Sequence, residues 1–428
     1  MIYGSLEKPT KIYFFVGFFL TAMVWLYTSI SPLEGIHSIR QADTLFAGYS
    51  YCVEGSSFAL PKIAHRENTS GVAIGELPLF SYILSWPCQL TGQWSEVTPK
   101  IITWIFLMLA LGVWGMWFQR SYPERWPGFY GFAFLFLIST QVQLHWTIPI
   151  PDIFAVLIFG LSLLWAEKKW ILSVLFFALG FWIRPYFLPL ILLVPQRKRW
   201  FWYVLACVPI YFFWYKYWIL KSQIEYYNTK VLSLKELQAA LPATVQAVLT
   251  RFFRNDVNFV GVVLLFFAFR KVKYDFWLWL TAATSLAFVV ILKGDHLVNH
   301  GYYLGASSLL WILLMSVGLR EAPPKMVPWL LGIYLLVMVA NTQHLWRHLG
   351  LVKQEEVLAL IKEKGVAPTD KIATYLTDWP QDATYLYWAK RTGWSLRKID
   401  FDEAHPCPKG AQFFMLEKDT KLSLNRCP

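Results

Sequence analysis

Charge is what this chain has least of. Only 15% of its 428 residues are Asp, Glu, Lys or Arg, while 56% are apolar and 18% aromatic. Mean hydropathy is +0.41. A water-soluble fold of this length needs far more charged surface, which leaves a polytopic all-α membrane protein. Also missing are a phosphate-cradling glycine loop, a nucleophilic serine elbow and a haem-attachment motif. There is no internal repeat and no low-complexity tract. Nor is there a long basic stretch. The net charge of +12 is spread over short clusters, none able to track a phosphate backbone, so nucleic acid is not an expected partner.

What the chain has is a series of apolar segments. They lie near 12–30, 101–118, 128–147, 153–166, 171–183, 185–195, 201–220, 257–269, 275–292, 302–319 and 326–341, about eleven in all. The first is too long for a removable leader and has no small-residue cleavage site before Ser31-Pro32, so it reads as an uncleaved span. Basic residues punctuate the series at Lys8/Lys11, Arg120/Arg125, Lys168/Lys169, Arg197/Lys198/Arg199, Arg270/Lys271/Lys273 and Arg320/Lys325. With a cytoplasmic N-terminus and alternating spans, every cluster falls inside.

The segment 171–195 decides the parity. It is about 25 residues long, enough for one span but not two, and carries Arg184-Pro185 at its centre with basic residues at both ends. A single span would put Arg197-Lys198-Arg199 outside and reverse everything downstream. A re-entrant hairpin of two half-length helices keeps both ends inside and puts Arg184 at its tip. Irregular backbone at that depth is tolerated only where it lines protein or a wet cavity.

Four regions then face outward: the loop of about 31–100, the turn Ile148-Pro149-Ile150-Pro151-Asp152, the loop of about 221–256, and Lys293 to His300. The C-terminal segment from 343 follows on the same side. The expected division is therefore a transmembrane domain over 1–342 and a small C-terminal α/β unit over 343–428. Within the first loop, Leu77 to Leu90 is short and interrupted by Pro87, so it reads as a helix lying in the interface. Helices are expected at 353–364 and 383–390, and strands at 371–376 and 411–416. Cys52 and Cys88 fall in the first outer loop, and Cys407 and Cys427 in the C-terminal segment, leaving Cys207 in lipid. On an oxidising side these pairs can bridge as Cys52–Cys88 and Cys407–Cys427, or stay as free thiols.

The outward ionisable residues form a short list, and ionisable groups at a membrane boundary mark a site by default. His37, Arg40, Asp43 and Glu76 come from the first loop. If 36–47 is helical, Arg40 lies within about 60° of both His37 and Asp43, so the three share one edge. Asp152 opens a span after two prolines, where a carboxylate can cap the helix or face the outer cavity. Asp295, His296 and His300 precede Tyr302-Tyr303. The two histidines are one helical turn apart, a spacing that suits a metal pair or a phosphate clamp, but no third ligand of zinc-site spacing follows. His344 and His348 repeat the spacing beside Arg347 and read as interfacial. The ionisable groups gather at one face, with no polar row through successive spans of the kind an ion-coupled transporter needs.

These residues resemble a known family. An acidic residue in a large first outer loop, another after a proline at the second outer turn, and a short Arg-Pro hairpin together resemble the GT-C superfamily of integral membrane glycosyltransferases. Its members include the protein O-mannosyltransferases and the aminoarabinose transferases that modify lipid A. The run His37-Ser38-Ile39-Arg40-Gln41-Ala42-Asp43-Thr44, with Glu76-Leu77-Pro78-Leu79, looks like a bacterial family-39-type branch. The C-terminal run Tyr385 to Trp394 matches loosely. The resemblance implies a polyprenyl-phosphate-linked sugar donor, a lipid, glycan or protein acceptor, and a multi-pass protein of the bacterial cytoplasmic membrane with its site facing outward. It implies catalytic roles for Asp43 and Asp152. Two departures matter: Gln41-Ala42-Asp43 stands where many relatives have an Asp-Glu pair, and Leu77 stands where the aminoarabinose transferases have a lysine. Arg184 or Arg40 is then the expected cation for the donor phosphate.

The chemistry asks for the same residue types. Displacing a lipid phosphate from an anomeric carbon needs Arg or His⁺ for the leaving group, and the incoming hydroxyl needs a carboxylate base. His37, Glu76, Asp295, His296 and His300 are expected to help bind substrate. A divalent cation, Mg or Mn, is permitted by the carboxylates Asp43, Asp152 and Glu76 without being required. Two other functions fit an outward-facing polytopic chain. An O-antigen ligase or polymerase is expected to use Arg and His in a large late loop, and a flippase moves lipid-linked sugar without making a covalent product.

Overall fold

The computed structural model describes residues 3–30, 38–63, 77–208, 257–270, 275–293, 304–342, 350–367, 370–376, 382–391, 393–397, 406–409, 411–418 and 421–427, with a few isolated positions between. Helix α1 (Tyr3–Ile30) leads to α2 (Ser38–Val53), α3 (Leu79–Thr91) and α4 (Thr98–Ser121). Next come α5 (Phe129–Ile138), α6 (Asp152–Trp165) and α7 (Trp170–Ile183), then α8 (Asn258–Phe269), α9 (Phe276–Lys293), α10 (Gly305–Glu321) and α11 (Val327–Thr342). Two of these, over Pro9–Tyr27 and Thr98–Ser121, are long and apolar enough to cross a membrane by themselves. Most of the other apolar helices are shorter, so helix length does not carry the expected count of about eleven segments.

The helices bury one side and leave apolar side chains on the other. Along α4, Ile101, Ile105, Leu109 and Met116 are exposed at helical spacing, while Leu107, Ala110, Trp114 and Phe118 are buried. The same split recurs on α8, where Phe259, Val262, Phe266 and Phe269 are exposed. Stripes of this kind need a solvent as apolar as themselves. Inside the bundle, backbones approach closely. A Cβ on Gly318 of α10 would lie 1.9 Å from the Leu264 carbonyl oxygen of α8, so only glycine permits that crossing.

The expected span 128–147 is broken. Helix α5 stops at Ile138, Ser139 is extended, and Val142–Trp146 forms a π-helical turn. The Ser139 hydroxyl donates to the Phe136 carbonyl at 2.8 Å and accepts from the Val142 N–H at 3.3 Å, supplying bonds the interrupted helix lacks. The hairpin keeps its ends together. Arg199 Nη1 lies 3.4 Å from the Ala166 carbonyl, and Ser173 Oγ and the Tyr203 hydroxyl are 2.6 Å apart. Its return arm is not the expected half-length α-helix. Pro185 and Pro189 lack N–H donors, and Pro185–Leu193 winds as a 3₁₀ run.

The C-terminal segment is a helix α12 (Gly350–Glu363), a helix α13 (Asp382–Ala389) and a four-stranded sheet. Strands β1 (Ile372–Leu376), β2 (Gly393–Arg397), β3 (Phe413–Lys418) and β4 (Lys421–Arg426) run in the order β2-β1-β3-β4. The first three are parallel and β4 is antiparallel to β3. The sequence expectation contained β1 and β3 but neither β2 nor β4. Both cysteine pairs are bridged, Cys52–Cys88 joining α2 to α3 and Cys407–Cys427 closing the end of β4.

Candidate active site

Asp152 is the first residue of α6, delivered there by Pro149 and Pro151. The N-cap, Pro151, has no side chain able to cap the helix. The Asp152 carboxylate meets its own backbone N–H at the helix start and also turns to the hairpin tip, where Arg184 Nη2 donates to Oδ2 at 2.6 Å and the Tyr186 hydroxyl donates to Oδ1. Asp152 is 0% exposed and Arg184 4%, so this is a dry, charge-assisted pair. Taking one partner away leaves the other charge buried and unsolvated. The Arg184 guanidinium also lies 5.9 Å over the Tyr186 ring. The hairpin tip thus brings Arg184 and Tyr186 to one carboxylate.

The charge of Arg40, on α2, acts on Asp152, which brings the first-loop helix and the turn before α6 into one electrostatic neighbourhood. Asp43 is one turn further along the same edge and 6% exposed. The backbone N–H of Leu77 donates to the Trp182 carbonyl at 3.1 Å, fastening the first loop to the hairpin tip. The structure therefore unites Arg40, Asp152 and Arg184. His37, Glu76, Asp295, His296 and His300, with His344 and His348, lie outside the described residues.

Tyr186 is absent from the sequence reading. A tyrosine two residues after a hairpin arginine is one of 22 in the chain and carries no signal until the tip geometry is known. Arg184, expected as a cation for phosphate, comes already bound to a carboxylate. Asp152 is in turn committed to a guanidinium and a phenol, with Arg40 adding positive charge. That is a poor arrangement for a metal ligand, and among the described residues no three of His, Cys, Asp and Glu are grouped to hold a cation.

A second cluster ties the C-terminal unit to α2. Glu96 accepts from the Tyr387 hydroxyl and, at 2.7 Å, from Lys390 Nζ. Trp94 Nε1 donates to the same hydroxyl at 3.3 Å. Lys390 also lies 5.4 Å over the ring of Tyr49, on α2 itself. Helix α13 thereby braces the helix that carries Arg40 and Asp43. Burial holds Lys390 below the ordinary lysine range despite Glu96. In Glu96→Gln, Lys390 loses its counter-charge. Hydrogen exchange of α2 amides is expected to speed up by about tenfold or more, with abundance retained. Unchanged exchange would show the brace to be idle.

With this geometry in view, the chain can be set beside known proteins. No family model matches it, and no curated protein matches it. Among solved structures it is similar to the crystal structure of ArnT from Cupriavidus metallidurans in the apo state. The TM-score is 0.57 over 95% of this chain and 93% of that one, with 11% identity. The likeness is one of fold. It spans nearly all of both chains, so the ArnT-like architecture takes in the C-terminal segment as well as the helical bundle.

Proposed function

We propose that this chain is a membrane glycosyltransferase. It moves a sugar from a polyprenyl-phosphate-linked donor to a cell-envelope acceptor at the outer face of a bacterial cytoplasmic membrane. One observation carries the reading: a buried Asp152–Arg184–Tyr186 group with Arg40 beside it, in a chain with the fold of ArnT.

The acceptor hydroxyl attacks the anomeric carbon. A new C–O bond forms as the bond from that carbon to the phosphate oxygen breaks, and the electron pair leaves with the polyprenyl phosphate. The hydroxyl proton passes to a carboxylate, and in-line displacement inverts the anomeric centre. Asp43 is the base, because Asp152 is already occupied by two donors. Asp152 orients Arg184, and the two arginines stabilise the departing phosphate in a low-dielectric setting.

A flippase with the same fold moves lipid-linked sugar and leaves it attached to its carrier. The two are separated in sealed proteoliposomes loaded with envelope lipid extract from the producing cell. The transferase reading expects a new covalent product by mass spectrometry. Translocation with every donor molecule intact would end it.

A further inference from the structure

Helix α12 packs against β4 of the C-terminal sheet, whose Leu422 and Leu424 are buried. Its Glu356 carboxylate accepts from the Leu422 N–H at 2.8 Å. The helix ends at Glu363 in a left-handed turn: Gly365 has φ of +60°, and the Val366 N–H reaches back to the Ile361 carbonyl at 3.1 Å. Beside that turn, where the strand register sets Phe413 opposite Arg426, a cavity of about 450 Å³ opens. Sites for small molecules run from roughly 300 to 1,000 Å³.

The cavity has two kinds of surface. Phe413 and Leu424 supply a buried apolar part. Around it stand the amides of Gln412 and Asn425 and the cations Lys364 and Arg426. Gln412 Oε1 accepts from the Lys371 N–H at 2.7 Å, which fixes that amide and leaves its NH₂ group as a donor. The lining carboxylate, Asp370, is engaged, its Oδ2 accepting from the Ala367 N–H at 2.7 Å. Lys364 meets the neighbouring Glu363 at 2.9 Å in an exposed bridge, which holds it weakly. The Arg426 guanidinium is exposed and has no carboxylate bonded to it among the described residues. An apolar base within a ring of donors suits a sugar, which has a C–H face and a rim of hydroxyls. A guanidinium beside it suits a sugar that carries an anion.

The cavity wall is joined to α2 through α13. Arg391 Nη2 donates to the carbonyl of Val366, next to Gly365, at 2.9 Å, and the charge of Asp370 acts on Arg391. Arg391 follows Lys390, which is bonded to Glu96 and lies over Tyr49 of α2, the helix of Arg40 and Asp43. We infer that this cavity is an acceptor-recognition site, holding a negatively charged sugar of the cell-envelope acceptor apart from the hydroxyl that reacts. Arg426 takes the carboxylate or phosphate, and Gln412 and Asn425 take ring hydroxyls above Phe413. Its role toward an acceptor rests on the transferase reading, whereas the preference for an acidic sugar follows from the lining alone.

Binding to the full-length protein in nanodiscs tests the site, with methyl glucuronide, glucose 6-phosphate and uncharged methyl glucoside as probes. The wild type is expected to hold a charged sugar about tenfold more tightly than the neutral one. Arg426→Gln should erase that difference, and Asn425→Trp, at an exposed position, should block all three. Binding of the glucuronide alone assigns a uronate, of glucose 6-phosphate alone a phosphosugar, and of both an anionic sugar as such. Equal binding of the neutral probe, no binding by the wild type, or an unchanged preference in Arg426→Gln would overturn the site. With envelope lipid extract as substrate, Arg426→Gln should need about tenfold more extract for half-maximal transfer while keeping kcat. An unchanged requirement would remove the acceptor role. A protein that prefers acidic probes through Arg426 yet forms no covalent product would instead end the transferase reading and leave the sugar site standing.

Discussion

Breaking the Asp152–Arg184 pair is expected to produce the largest single effect in this protein. Asp152→Ala leaves a guanidinium buried without its counter-charge, and Arg184→Ala leaves a carboxylate in the same position. Removing one partner of a buried pair destabilises by about 3–5 kcal/mol. Either variant should therefore show a lowered thermal midpoint, reduced abundance and no measurable sugar transfer. The pair is bonded at 2.6 Å and closed off from solvent, so relaxation of exposed side chains offers no escape. The neutral double variant Asp152→Asn with Arg184→Gln separates scaffold from chemistry. It should recover much of the lost stability, because no charge is left unpaired, while transfer stays absent. A double variant that regained activity would reduce the pair to a structural device.

Asp43→Asn should behave in the opposite way. Asp43 is almost fully buried on α2, and asparagine keeps its shape. The variant is expected to fold at wild-type abundance. Sugar transfer should fall by about a hundredfold to ten-thousandfold, the usual contribution of a general base. Initial rates and thermal midpoints on one preparation check both halves together. Near-wild-type rates would remove Asp43 from its role as base. A collapse of stability would make it a structural residue instead.

Much of this was legible beforehand, for identifiable physical reasons. The hairpin followed from charge and length: about 25 apolar residues with basic groups at both ends leave few topologies. The contact of Arg199 with the Ala166 carbonyl is that topology seen from its base. Arg184 at the tip followed with it, and Asp152 stood out as a carboxylate after two prolines. Their union did not, because pairing between distant segments leaves no periodicity in a sequence.

The misses have equally plain causes. The stop at Ile138 had a sign in Ser139-Thr140-Gln141, with Gln143 and His145 beyond, but polar residues inside a span are as easily read as helix residues facing a neighbour. Strand β4 was legible in principle, because Leu422 and Leu424 alternate with polar residues and both are buried. Strand β2, opening on Gly393 with a serine at its centre, gives too weak a strand signal over five residues. The brace of Glu96, Tyr387 and Lys390 joins residues nearly 300 positions apart and had no local sign at all.

The central claim is that the buried group around Asp152 and Arg184 transfers sugar to the cell envelope. Mass spectrometry of surface polysaccharides and lipids tests it most directly. Cells lacking the gene would be compared with cells restored by the wild-type chain and by the neutral Asp152→Asn, Arg184→Gln form. The account predicts one sugar missing from one envelope component in the deletion, returned by the wild type and still missing with the double variant. An envelope profile identical in all three strains would contradict it.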